Sequence, residues 1–233
     1  MSVPPIEIRW GGGGWRGGHA RAARPAVQCA RDLVELGLDH FGLSFTVPKT
    51  MVIWRASEQY IQEYERGVTR SAAEFEVNVS VQDVKHRRVG LRTCYLAEVG
   101  LHEAVHALRM EHFSEESLAE YLVTEGLAYV AQSRFGEALM YADEHNNVEA
   151  MVMSLPHRTL DMVQERMAEE TTRQPGELDY DTYDAWFCQP LPGVGIPPGI
   201  IAGVDAVSTQ IGSTSSGLSA LVSQPAVQVL GVE

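Results

Sequence analysis

Two histidines four residues apart, His102 and His106, constrain this chain more than any other pair of residues in it. At about 3.6 residues per turn, positions i and i+4 fall on one helix face about 6 Å apart along the axis. Both imidazoles then reach a single metal ion at about 2.0–2.1 Å. Glu103 projects beside such an ion rather than onto it. This is the arrangement of the H-E-x-x-H pattern, in which the glutamate is general base toward a zinc-bound water. The flanks favour a helix: Leu91 to Leu101 leads in and Ala107 to Met110 leads out, largely apolar and without proline. The plainer account is two solvated or core histidines that share a helix, so a third ligand decides the matter.

Catalytic zinc takes three protein ligands and keeps a fourth position for water, and two histidines with one glutamate are a common set. Eighteen residues, 107–124, separate His106 from Glu125. Ser114 followed by Glu115 and Glu116 reads as an N-cap with acids in the first turn, which predicts a second helix from Ser114 to Phe135. Leu118, Leu122, Glu125 and Tyr129 share one stripe of that helix. A carboxylate on an otherwise apolar face is costly unless it is paired or bound to a metal, which makes Glu125 the best third ligand. The ordinary alternative is a surface acid paired with a distant base, and Glu120 is such an acid nearby. His112 falls off the helix face, and the longer H-E-x-x-H-x-x-G-x-x-H pattern requires glycine where Arg109 stands.

Leu101 to Arg109 together with Leu122 to Ala128 resemble the gluzincin zinc peptidases, and within them the predicted Zn-dependent protease family called YjaZ-like. The shared plan is a histidine-bearing helix running into a basic residue, a short loop, and a second helix carrying Glu-Gly-Leu-Ala, followed here from Phe75 to Arg134. The resemblance implies a zincin-like fold, a Zn2+ cofactor held by His102, His106 and Glu125, Glu103 as base, and a peptide or protein substrate. Two departures stand out. Thermolysin-like gluzincins place an acid four residues after the glutamate ligand, where it holds a histidine in its ligating tautomer, and Tyr129 stands there in this chain. Glu98 and Glu137 are then candidates for that support. The resembled family also carries a C-terminal Gly-Tyr pair where this chain reads Pro198-Gly199-Ile200-Ile201, so the oxyanion donor is unassigned. His157, Tyr180 and Tyr183 are candidates by residue type alone.

At 233 residues with 45% hydrophobic composition the chain can bury a sizeable core without disulfides. Its three cysteines, Cys29, Cys94 and Cys188, are odd in number and widely spaced, which fits a reducing compartment better than a disulfide framework or a thiolate zinc site. No leader-like start and no apolar run of about 18 residues is visible, so the expectation is a soluble, cytoplasmic protein with no membrane partner. A net charge of −13 argues against nucleic acid and anionic membranes. Lys85-His86-Arg87-Arg88 reads as a solvated loop.

Ile6 to Trp10 alternates like a short strand, and Gly11 to Gly18 reads as a flexible loop, since no Gly-Lys-Ser/Thr ending makes it a phosphate cradle. A helix is expected over Arg24 to Leu36, ended by Gly37, and a strand over Met51 to Arg55, with Phe41 to Val47 a strand or a loop. Phe75, Val77, Val79 and Val81 alternate with polar residues. That strand is either a sheet interior or an edge that takes up substrate backbone. Helices are expected over Glu137 to Met153, Thr159 to Glu170 and Gly199 to Ile211, and over Leu218 to Leu230 with a break at Pro225. Methionines such as Met151, Met162 and Met167 read as core filling. Thr171 to Pro198 reads as irregular, its acids Glu177, Asp179, Asp181 and Asp184 solvated and not a calcium loop.

The sequence therefore predicts a single α+β, zincin-like domain over 1–233: a sheet-forming part in 1–90, ligand helices in 91–135 and a helical part in 136–233, irregular at 171–198. The expected activity is zinc-dependent peptide hydrolysis. The alternative is a zinc-stabilised binding or regulatory module with little or no catalysis, and a chance motif in an ordinary helical domain is the third reading.

Overall fold

A computed structural model describes residues 5–12, 15, 18–57, 66–114, 117–138, 147–173, 176–212 and 217–231. The architecture is mixed α+β with a small mixed sheet, and the chain divides into two compact units, residues 1–111 and 112–233.

In the first unit β1 (Glu7–Trp10), β2 (Thr50–Ala56), β3 (Gly67–Ser71) and β4 (Glu74–Ser80) form a sheet in the order β1-β2-β4-β3. β1, β2 and β4 run parallel, and β3 turns back antiparallel on β4. The alternation at Phe75, Val77 and Val79 thus belongs to an interior strand, and among the described residues the edges are β1 and β3. Substrate backbone cannot add to β4, because both its edges are already paired.

Between β1 and β2 runs α1 (Gly18–His40), longer than expected at both ends and passing through Pro25 and Gly37. Gly37 does not end it. Gly42 adopts φ 66° and Leu43 N–H reaches back to the Leu38 carbonyl at 2.8 Å, so the left-handed cap lies five residues later. Phe41 to Val47 is loop, with Phe41, Leu43 and Phe45 buried. After β4 come α2 (Val81–Lys85), capped by the Ser80 hydroxyl, a 3-10 turn at Val89–Arg92, and α3 (Thr93–Arg109), the histidine helix. Lys85 to Arg88 is exposed as expected. α3 is buried along nearly its whole length, and Gly100 lets α1 pack close, since a Cβ there would stand 2.9 Å from Val34.

The C-terminal end of α3 is tied down by a buried ion pair. Lys49 is fully buried, its ammonium bonded to the Glu111 carboxylate and the Ala72 carbonyl and set over the Phe45 ring. Glu111 also accepts from Thr46 N–H at 2.9 Å and Val47 N–H at 3.2 Å. Burial alone would raise its carboxyl, but the bonds from Lys49, Thr46 and Val47 outweigh it and hold Glu111 below the usual carboxylate range. Burial draws Lys49 below its ordinary range against the pull of Glu111.

The second unit is helical: α4 (Leu118–Ala138), α5 (Val148–Met153), α6 (His157–Arg173), α7 (Tyr180–Tyr183), α8 (Pro198–Ile211), α9 (Gly217–Leu221) and α10 (Ala226–Leu230), with a π turn at Asp184–Cys188. α4 starts later than expected. The Ser117 hydroxyl accepts Glu120 N–H at 3.3 Å and takes the capping place proposed for Ser114, while 115–116 lie outside the described residues. The expected Glu137–Met153 helix falls partly on 139–146, also outside them; α4 ends at Ala138 and Asn147 caps α5. Within 171–198 the irregular expectation gives way to α7 and the π turn, because the Asp179 side chain caps Thr182 N–H at 2.7 Å. α8 crosses α4 backbone to backbone: a Cβ on Gly126 would sit 2.3 Å from the Gly203 carbonyl oxygen, and one on Gly203 2.0 Å from that of Leu122. No described helix is long and apolar enough to cross a membrane.

Lys49→Met should cost about 3–5 kcal/mol in urea unfolding, because it strands a buried carboxylate. Both partners titrate below their ordinary values in the folded chain, so the wild type should be most stable above the unfolded carboxylate pKa. It should weaken as pH falls toward the lower folded value of Glu111, and unfolding followed between pH 7 and pH 3 reads this directly.

Candidate metal centre

α3 sets His102 and His106 on one face with their Nε2 atoms 3.1 Å apart and their rings tilted by 32° at 4.9 Å. Two nitrogens each about 2.0–2.1 Å from one tetrahedral ion stand about 3.3 Å apart, so the pair fits a shared metal with little movement. His106 is 7% exposed and His102 half-buried, which is how a ligand pair with one open side is expected to look.

Glu103 is 8% exposed and turned toward β3. The Thr69 hydroxyl lies 2.9 Å from the Glu103 Oε2 and 2.9 Å from its backbone carbonyl, and donates to one or the other. Gly67 lies against the same side chain, where a Cβ would stand 2.6 Å from Glu103 Cγ and 2.8 Å from Val99. An edge strand thus fixes the rotamer of the glutamate from one side. Sequence reasoning missed both residues. Thr69 and Gly67 carry no motif and lie more than thirty residues before Glu103, so only the folding of β3 onto α3 shows their role.

Glu98, one turn before His102 on α3, is 6% exposed, and burial pushes its carboxyl up to about 7. Glu137 is exposed and accepts a bond from Asn147 at 2.5 Å, which commits it to the end of α4. His112 is exposed in the segment after α3.

Glu125 lies on α4, which is buried on every side except one. From residue 121 to 132 the half-buried positions are Tyr121, Glu125, Tyr129 and Gln132, spaced at helical intervals, and their neighbours are buried. Glu125 and Tyr129 do share a face, but it is the half-buried side of the helix and not the apolar, inward one expected, since Leu118 and Leu122 are fully buried. Of the oxyanion candidates, His157 and Tyr180 are exposed, Tyr180 at 77%. Tyr183 is half-buried and its ring meets Tyr121 at 5.5 Å. Glu177, Asp179 and Asp181 are exposed, as expected of solvated acids, whereas Asp184 is half-buried and accepts from the Gln189 amide at 2.5 Å.

No protein-family model matches this chain, and no curated protein or solved structure is significantly similar to it. The comparisons therefore do not identify the gluzincin or YjaZ-like family, and the functional reading stands on the residues themselves.

Gly67→Ala should push Glu103 out of its place or move β3, with a loss of about 1–3 kcal/mol in urea unfolding, and an unchanged midpoint would remove the close packing described here.

Proposed function

We propose that the chain is a zinc-dependent peptidase of zincin-like architecture, akin to the gluzincins, with His102, His106 and Glu125 as the ligands of Zn2+ and Glu103 as general base. The observation that carries this reading is the pair of Nε2 atoms 3.1 Å apart, with the adjoining glutamate held by a hydroxyl from the next strand. His102, His106 and Glu125 also make up a group of side chains able to hold a metal ion. Two imidazoles and one carboxylate leave a position for water, whereas purely structural zinc sites close all four.

Zinc bound there would polarise the scissile carbonyl and lower the pKa of the attacking water. Glu103 takes a proton from that water as its oxygen bonds to the carbonyl carbon, then delivers the proton to the amine as the C–N bond breaks. Thr69 keeps the carboxylate aimed, so little reorganisation is needed at the moment of transfer. β3, an edge among the described residues and packed on α3, offers backbone groups to an extended peptide.

Elemental mass spectrometry of the untagged protein should find one zinc per chain, lost in His106→Ala. Absence of zinc after reconstitution removes the reading. Glu103→Gln should keep the metal while turnover of a broad peptide mixture falls about 10²–10⁴-fold. Thr69→Val should lower kcat about tenfold with KM little changed, and Thr69→Ser should restore it. Zinc retained without any chelator-sensitive cleavage would favour the binding-module alternative.

A further inference from the structure

The edge of β3 that is free among the described residues borders the histidine pair. Turning about 100° per residue around α3, the side of Gly100 comes first, then that of Val99 and Glu103, then that of His102 and His106. Gly100 faces β2 and β4, where a Cβ would stand 3.6 Å from Met51 and 3.9 Å from Val77, while Val99 and Glu103 face Gly67 of β3. This is the order of the strands in the sheet, β2-β4-β3, so the histidines follow beyond the last strand.

β3 also has a direction along the helix. The Arg66 guanidinium, just before the strand, lies 5.5 Å from the centre of the Tyr95 ring, Gly67 meets Val99 and Glu103, and Thr69 reaches the Glu103 carbonyl. The strand thus runs from the first turn of α3 toward the histidines. Tyr95 precedes His102 by seven residues, almost two full turns, which puts both on one side of the helix about 10 Å apart along its axis. Arg66 is exposed and Tyr95 half-buried beneath it. Burial raises the Tyr95 hydroxyl above its ordinary range, Arg66 and Arg92 pull it down, and Glu98 adds a lesser push upward, so both guanidinium groups stand near the ring. Arg92 is itself exposed and donates from Nε to Asp83 at 3.3 Å.

A peptide that adds to this edge antiparallel, the commoner pairing and the one β3 makes with β4, runs with its C-terminus toward Arg66. At about 3.3 Å per residue, about three residues cover the distance from the histidines to Tyr95. A guanidinium fork suits a carboxylate, and every unmodified peptide ends in one.

We propose that Arg66, with Arg92 beside it, binds the C-terminal carboxylate of a peptide laid along β3, so that the enzyme releases C-terminal pieces of about three residues instead of cutting within long chains. This rests on the peptidase reading, and Arg66, Arg92, Tyr95 and the histidine pair all belong to the first unit.

The test uses the full chain reconstituted with zinc and synthetic peptides of one sequence, made as the free acid and as the C-terminal amide and lengthened stepwise at the N-terminus, with products read by mass spectrometry. The free acid should exceed the amide by about 10–10²-fold in kcat/KM. The cut should stay about two to four residues from the C-terminus however long the peptide becomes. In Arg66→Gln, which alters only an exposed side chain, the ratio of acid to amide should collapse toward one while zinc stays at one per chain. Equal or better cleavage of the amide, cuts that follow internal sequence, an amidated peptide ending in Asp or Glu cleaved as well as the free acid, or a ratio unmoved in Arg66→Gln overturns the carboxylate site and leaves the peptidase standing. No chelator-sensitive cleavage of any peptide by the wild type overturns both.

Discussion

Everything around the candidate centre follows from the burial of a helix that carries charge. α3 takes Glu98, Glu103, His106 and Arg109 out of water, and each polar group so buried costs free energy unless something compensates it. The compensations shape the first unit. Thr69 reaches across from β3 for Glu103, and the two imidazoles stand close enough for one proton or one metal ion between them. Lys49 and Glu111 close the helix end with a pair that itself had to be desolvated. A purely apolar helix in this place would be easier to fold, and it would have no chemistry to offer.

Much of this was legible from residue spacing, and the reason is local geometry. A helix has one period, so the face shared by His102 and His106 follows from their numbers alone. That Glu125 and Tyr129 share a face is equally local, but whether the face points inward is not, and it proved to be the half-buried one. What could not be read depends on partners distant in the chain. A strand alternates in the same way at an edge and in the interior, so the pattern at Phe75 to Val81 left its place open, and the pairing of β4 with both β2 and β3 decided it. β3 itself is short, polar and begins with glycine, a weak strand signal, yet it is the strand that touches Glu103. Lys49 misleads in the other direction, since a lysine ordinarily reads as surface and this one is fully buried.

Glycine punctuation shows the same limit. Gly37 has the right place to stop α1, but the helix passes through it and turns at Gly42, where the backbone needs a positive φ. A glycine in sequence marks a permission and not an instruction. In α4 and α8 the permission is used for contact: Gly126, beside the proposed ligand, is there because another backbone is, whatever the metal requires.

That crossing of α4 and α8 also bears on how such a chain can vary over time. Where two helices meet through side chains, a change on one is absorbed by repacking on the other, and sequences drift in compensating pairs. At Gly126 and Gly203 there are no side chains to trade, so no single neighbour can make room for a methyl group. The seam is closed to gradual substitution. Diversification in this unit should therefore collect where side chains face outward, leaving the crossing of α4 and α8 as it is.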